Sequence, residues 1–101
     1  MTSAATQATD AETPRGPRVT VRYWAAARAA AGVAQEELTG ATVAEVLAAA
    51  RDRHTGQLRF APVLAVCSLL LGDRPLGSLD LAGVDVQEGD VLEVLPPFAG
   101  G

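Results

Sequence analysis

From Arg18 to Trp24 apolar and polar residues alternate, the two-residue period of a strand with one buried face. Val19, Val21 and Tyr23 share one side and belong to the core; Thr20, Arg22 and Trp24 share the other, open side. The alanine-rich stretch 25–31 then favours a short helix, stopped by Gly32. Residues 33–38 read as a second strand. The clearest helix follows: Thr42-Val43-Ala44-Glu45 is a capping box, and Val43, Val46, Leu47 and Ala50 form an apolar stripe at helical spacing. Arg51, Arg53 and His54 fill its last turn, where positive charge suits the helix dipole, and Gly56 ends it.

The second half is less regular. Leu58, Ala61, Leu64 and Ala65 fit a small helix, with Pro62 tolerable only near its start. The run 66–71, apolar but for Ser68, reads as a buried central strand, turned by Gly72-Asp73-Arg74 into a short partner around Pro75-Leu76. Turns with Gly83 and Gly89 lead to a last strand, 91–95, in which Leu92 and Val94 face the core while Val91, Glu93 and Leu95 face out. One long helix must cover one face of one sheet to bury both apolar surfaces. The first and last strands are natural neighbours, which puts Trp24 and Leu95 on the same open face. The expected class is an α+β roll with a single sheet on one main helix.

At 101 residues the chain holds one domain. Residues 1–17, rich in Thr, Ala, Ser and Pro, have no periodicity and are expected to be a disordered tail; 18–95 form the domain, and 96–101 an extended C-terminal tail. Eight arginines and no lysine stand against twelve acids, for a net charge of −4, and no basic stripe is present for phosphate contacts. That excludes a nucleic-acid binder and suits a partner with a basic surface. No apolar run is long enough to span a membrane, and the start lacks the basic and apolar regions of a secretory signal, so the expected location is cytoplasmic. The lone Cys67 cannot form an internal disulfide and lies in an apolar run, where cysteine behaves as a small hydrophobe. There is no glycine-rich phosphate loop, no metal-ligand spacing and one histidine, so no bound cofactor or metal and no catalysis by the chain alone are expected.

The sharpest feature is the end of the chain, Leu95-Pro96-Pro97-Phe98-Ala99-Gly100-Gly101. Two prolines hold the exit extended, and two glycines carry no side chain that could pack. Such a tail makes sense if its terminal carboxylate is the working group, threaded into another protein. Phe98 either anchors the tail in a partner's groove or folds back on its own domain. The exposed pair Trp24 and Leu95 at the tail's root has the composition of an interface hot spot. Arg28 either pairs with acids on the partner or braces the short helix.

These residues together resemble a family. Tyr23-Trp24-Ala25-Ala26-Ala27-Arg28 after the first strand, the Thr-capped helix, and Glu88-Gly89-Asp90-Val91 leading to Pro96-Pro97-Phe98-Ala99-Gly100-Gly101 are similar to the MoaD/ThiS-type sulfur carriers, most of all their molybdopterin branch. Two positions depart from the common pattern. Trp24 stands where Phe is usual, and Val66-Cys67-Ser68 lacks a frequent Asn. The resemblance implies a ubiquitin-like β-grasp fold and a carrier whose Gly101 carboxylate, presented by Gly100, becomes an acyl-adenylate and then a thiocarboxylate. It implies two partners: an E1-like adenylating enzyme that uses ATP, and the large catalytic subunit of a molybdopterin synthase, in a heterotetramer. Trp24, Arg28, Leu95, Pro96, Pro97, Phe98 and Ala99 are the expected partner-binding residues. The same chemistry could serve thiamin thiazole, cysteine or another sulfur-containing metabolite, or the chain could be a protein modifier.

Overall fold

A computed structural model describes residues 16–97. In chain order it contains β1 (Arg18–Tyr23), α1 (Ala25–Ala31), β2 (Gln35–Thr39), α2 (Val43–Arg53), α3 (Phe60–Ala65), β3 (Ser68–Leu71), β4 (Arg74–Pro75), a 3₁₀ turn (Leu81–Gly83) and β5 (Val91–Leu95). The strands make one mixed sheet in the order β2-β1-β5-β3-β4. β1 and β5 lie side by side and parallel at its centre, with Val21 opposite Leu92 and Arg22 opposite Glu93. All other pairings are antiparallel.

Strand parity is as the alternation predicts. Val19, Val21 and Tyr23 of β1 and Leu92 and Val94 of β5 are buried against the apolar stripe of α2, formed by Val43, Val46, Leu47 and Ala50. This layer is the core, and burial of these side chains is the main stabilising term. The Thr42 hydroxyl accepts from the Glu45 amide at 3.2 Å. The Glu45 carboxylate reaches back to the amide of Ala41, one residue before the cap, at 2.9 Å. Helix α1 ends at Gly32, whose φ of 81° is left-handed. Gly40 serves by close approach: a Cβ there would lie 2.8 Å from the Val46 amide nitrogen.

Four expectations change in detail. β2 begins two residues later than expected, because Val33 faces solvent and pairing starts where the Ala34 carbonyl accepts from the Tyr23 amide. In the small helix the buried residues are Phe60 and Leu64, while Leu58 is 88% exposed; α3 begins after Leu58, which therefore never joins its inner face. The apolar run 66–71 gives a strand only from Ser68, and it is half-buried, since no helix among the described residues covers the sheet's second face and β4 is two residues long. Val66 stays exposed.

The fourth concerns His54. It caps the end of α2, but its ring is buried inside a polar cluster that joins four parts of the fold. Glu36 Oε2 accepts from the Tyr23 hydroxyl at 2.5 Å and from His54 Nε2 at 2.6 Å. His54 Nδ1 meets the Gln57 side-chain carbonyl, and the Gln57 amide donates to the Ala31 carbonyl at 2.7 Å. Tyr23 and Phe60 pack edge-on with ring centres 5.6 Å apart. Every buried polar side-chain atom among the described residues has a partner, as low-dielectric surroundings demand.

Candidate functional site

The tail leaves the sheet from the end of its central strand β5, so its root is anchored by neighbours on both sides. Trp24 sits at the matching end of β1, and its amide donates to the Val94 carbonyl at 3.1 Å. The chain turns from strand to helix within one residue here. Trp24 is extended, and Ala25 takes a left-handed φ of 49°. With a Cβ this conformation costs roughly 1–2 kcal/mol, and such strain gathers where a structure must aim a side chain. The Trp24 carbonyl then accepts from the amides of Ala27 and Arg28, starting α1. The corner leaves the indole standing on the open face, 42% exposed.

Beside it lies a concavity of about 500 Å³ lined by Trp24, Ala25, Ala26, Ser68, Leu95, Pro96 and Pro97. The structure thus brings together Trp24, Leu95, Pro96 and Pro97 of the expected partner-binding residues. Arg28 stands apart, across the indole, in a small polar notch with Arg22, Tyr23, Ala34 and Gln35. Among the described residues Arg28 makes no ion pair. Phe98, Ala99, Gly100 and Gly101 lie outside the described residues, as do residues 1–15 of the N-terminal tail. Pro17 is described, and its carbonyl accepts from the Gly40 amide at 3.3 Å.

Two neighbours of Trp24 were not singled out in the sequence. Glu93 Oε1 accepts from the indole Nε1 at 2.8 Å, and Glu93 Oε2 pairs with Arg22 at 3.2 Å. The Arg22 guanidinium lies 4.9 Å from the centre of the indole ring. Alternation in the last strand predicts an outward, solvent-exposed Glu93. Its side chain is only 17% exposed, because the parallel register sets it directly opposite Arg22. Alternation alone already placed both residues outward; the missing information was the register between strands 71 residues apart.

Among the described residues no three His, Cys, Asp or Glu side chains gather as a metal site. No helix there is long and apolar enough to cross a membrane. The Cys67 thiol donates to the Val63 carbonyl at 3.2 Å, and burial pushes its pKa up, away from the thiolate a nucleophile requires.

A mixed sheet wrapped on one main helix, with Pro96 and Pro97 following its central strand, defines a small ubiquitin-like β-grasp protein. The ThiS family profile matches residues 21–101, and the chain belongs to that family of MoaD/ThiS-type sulfur carriers. No curated protein matches the chain. Among solved structures it is similar to the putative molybdopterin converting factor, subunit 1, from Pyrococcus furiosus. The two are 26% identical over 82% of this chain and 100% of that one, with a TM-score of 0.67. It is similar at 28% identity, over 82% of this chain and 99% of that one, to a chain of the Amycolatopsis orientalis BexX/CysO complex, with a TM-score of 0.66. Small archaeal modifier protein 1 from Methanosarcina acetivorans shares the fold, with a TM-score of 0.69 at 21% identity over 84% of this chain and 97% of that one. Small carriers of this family are non-catalytic subunits.

Proposed function

We propose that this protein carries sulfur as a C-terminal thiocarboxylate on Gly101 and delivers it for molybdopterin synthesis. The observation that carries the reading is the family match, which runs through Pro96-Pro97 to Gly100-Gly101. That is the segment whose composition marks it as the working end. In the first step the Gly101 carboxylate oxygen attacks the α-phosphate of ATP inside an E1-like adenylating enzyme, releasing pyrophosphate and forming an acyl-adenylate. A sulfur nucleophile then displaces AMP, leaving the thiocarboxylate. Its sulfur attacks an electrophilic carbon of a cyclic pyranopterin precursor in the large catalytic subunit and displaces an oxygen leaving group there. Water then cleaves the acyl C–S bond of the resulting thioester, restoring the Gly101 carboxylate and leaving the sulfur on the pterin.

The chain's own contribution is positional. Fully extended, the six residues from Pro96 to Gly101 reach roughly 20 Å, enough to enter a buried site while the domain stays outside. Pro96 and Pro97 lower the entropy lost on insertion, and the absence of Cβ atoms at Gly100 and Gly101 lets catalytic groups approach the backbone. The groove beside Trp24 and Leu95, continuous with the tail, is the surface on which the partners dock. Phe98 and Ala99 extend that contact into the partner, and Arg28 lies at its margin.

The test is intact mass of the chain after incubation with its activating enzyme, ATP and a sulfide donor. The expected result is the gain of one sulfur in exchange for one oxygen. A chain with one additional residue after Gly101 stays unmodified. Either result reversed ends the carrier reading. Conversion of the pterin precursor with the large subunit then identifies the client.

The likeness to a chain of the BexX/CysO complex supports a second reading, in which the same thiocarboxylate serves another sulfur-containing metabolite such as cysteine or thiamin thiazole. Recovery of a cysteine synthase-like or thiazole synthase partner from cells, without a pterin synthase subunit, would select it. A ladder of heavier adducts on a blot would instead show a protein modifier.

A further inference from the structure

Trp24 has two charged partners within reach, Glu93 and Arg22, and still presents a bare apolar surface. Its Nε1–H is taken by Glu93 Oε1 at 2.8 Å, so the indole has no donor left for another protein. Glu93 in turn is fixed through its second oxygen by Arg22 at 3.2 Å, and the Arg22 guanidinium lies 4.9 Å from the ring centre, within cation–π range. Arg22 and Glu93 are directly opposed on the two central strands, and Trp24 stands just past the end of β1. The indole therefore forms a wall between two unlike concavities. On one side lies the polar notch with Arg22, Arg28 and Gln35. On the other lies the apolar groove with Leu95, Pro96 and Pro97, from which the tail departs.

We infer that Arg22 and Glu93 are positioning residues that lock the Trp24 indole, so that the activating enzyme inserts an apolar side chain between the indole and the tail's root. The inference rests on the carrier reading and adds two residues and a specificity to it. Because the indole donor is already satisfied, a partner offering a carbonyl or carboxylate to Trp24 would bury it without a hydrogen bond, an unfavourable match. An aliphatic or aromatic side chain incurs no such penalty. The lock also means that Trp24 loses no rotamer freedom on docking, which raises affinity without any added contact. The groove is lined by Leu95, Pro96 and Pro97, the residues that lead into the tail, and the activating enzyme is the first protein that must take up that tail in the carrier reading.

Trp24 is the single tryptophan of the chain, so its fluorescence reports on this side chain alone. Glu93→Ala removes both bonds; Glu93→Gln keeps an oxygen for the indole while losing the charge on Arg22. In the full-length protein, Glu93→Ala is expected to raise acrylamide quenching and shift the emission to the red, with far-UV circular dichroism unchanged. With the activating enzyme and ATP, its KM as substrate is expected to rise about tenfold at unchanged kcat, the pattern of lost docking rather than lost chemistry. Glu93→Gln should restore most of both signals.

Quenching and KM equal to those of the unaltered chain would overturn the proposal. A KM change without a quenching change would mean that Glu93 touches the partner itself, and would overturn it too. So would a quenching change without a KM change, since Trp24 would then lie outside the docking surface. Failure of the unaltered chain to gain sulfur is a separate result, and it removes the carrier reading itself.

Discussion

Tyr23 and Trp24 are consecutive, and each is an aromatic residue bonded to a glutamate that also pairs with an arginine (Glu36 with Arg53 at 3.7 Å, Glu93 with Arg22 at 3.2 Å), yet they do opposite work. Tyr23 faces the helix layer, where its hydroxyl, Glu36, His54 and Gln57 are sealed together. Trp24 faces solvent, where Glu93 and Arg22 hold it upright beside the tail. The same residue types make a structural knot on one side of the sheet and a presenting surface on the other. Burial is what separates them. In a low dielectric an unpaired partner is expensive, so the inner cluster must be complete; on the open face water can replace any member.

Breaking the inner glutamate should have the largest effect. Glu36→Ala leaves the Tyr23 hydroxyl and the His54 ring without their acceptor and is expected to lower stability by about 3–5 kcal/mol, read from the urea midpoint. Glu93→Ala, its counterpart outside, is expected to stay within about 1 kcal/mol. Equal losses at the two sites would abolish the distinction. The paired test in β5 comes next. Leu92→Ala removes a wholly buried side chain from the centre of the core, for about 2–5 kcal/mol. Leu95→Ala should leave the midpoint within about 0.5 kcal/mol and weaken docking of the activating enzyme instead.

Alkaline pH sharpens the contrast further. Burial first, then the bond to Glu36, raise the Tyr23 pKa well above its ordinary value of 10.0. The folded state therefore keeps the proton that the unfolded state releases, so this contribution is full below pH 10 and is lost as pH rises beyond it. Tyr23→Phe should flatten that part of the profile. The partly buried Cys67 thiol, raised from 9.0, adds a slope of the same sign that Tyr23→Phe leaves in place.

The smallest effect belongs to the exposed pair of Glu88 with the Arg18 amide and guanidinium, both at 2.8 Å. Arg18 holds the Glu88 carboxyl below its ordinary value of 4.5. Its stabilisation is present above that pH and fades as pH falls through the lower folded value. Glu88→Gln should change the acid limb only slightly, as surface pairs do.

Much of this was legible along the chain because strand and helix periods are local properties. Alternation in β1 and β5 assigned Val19, Val21, Tyr23, Leu92 and Val94 inward and Trp24 and Leu95 outward, and the Thr42–Glu45 box located the main helix. Periodicity gave less where apolar residues were not buried: Leu58 and Val66 are exposed because nothing among the described residues covers them.

The sequence by itself determined the two faces of the sheet and the helix that covers one of them. Tertiary structure alone decided which distant residues share a contact. Arg22 meets Glu93 and Glu36 meets His54 only after strands pair and the helix docks. Pairing between segments far apart in the chain is set by the sum of all burial, not by any local pattern.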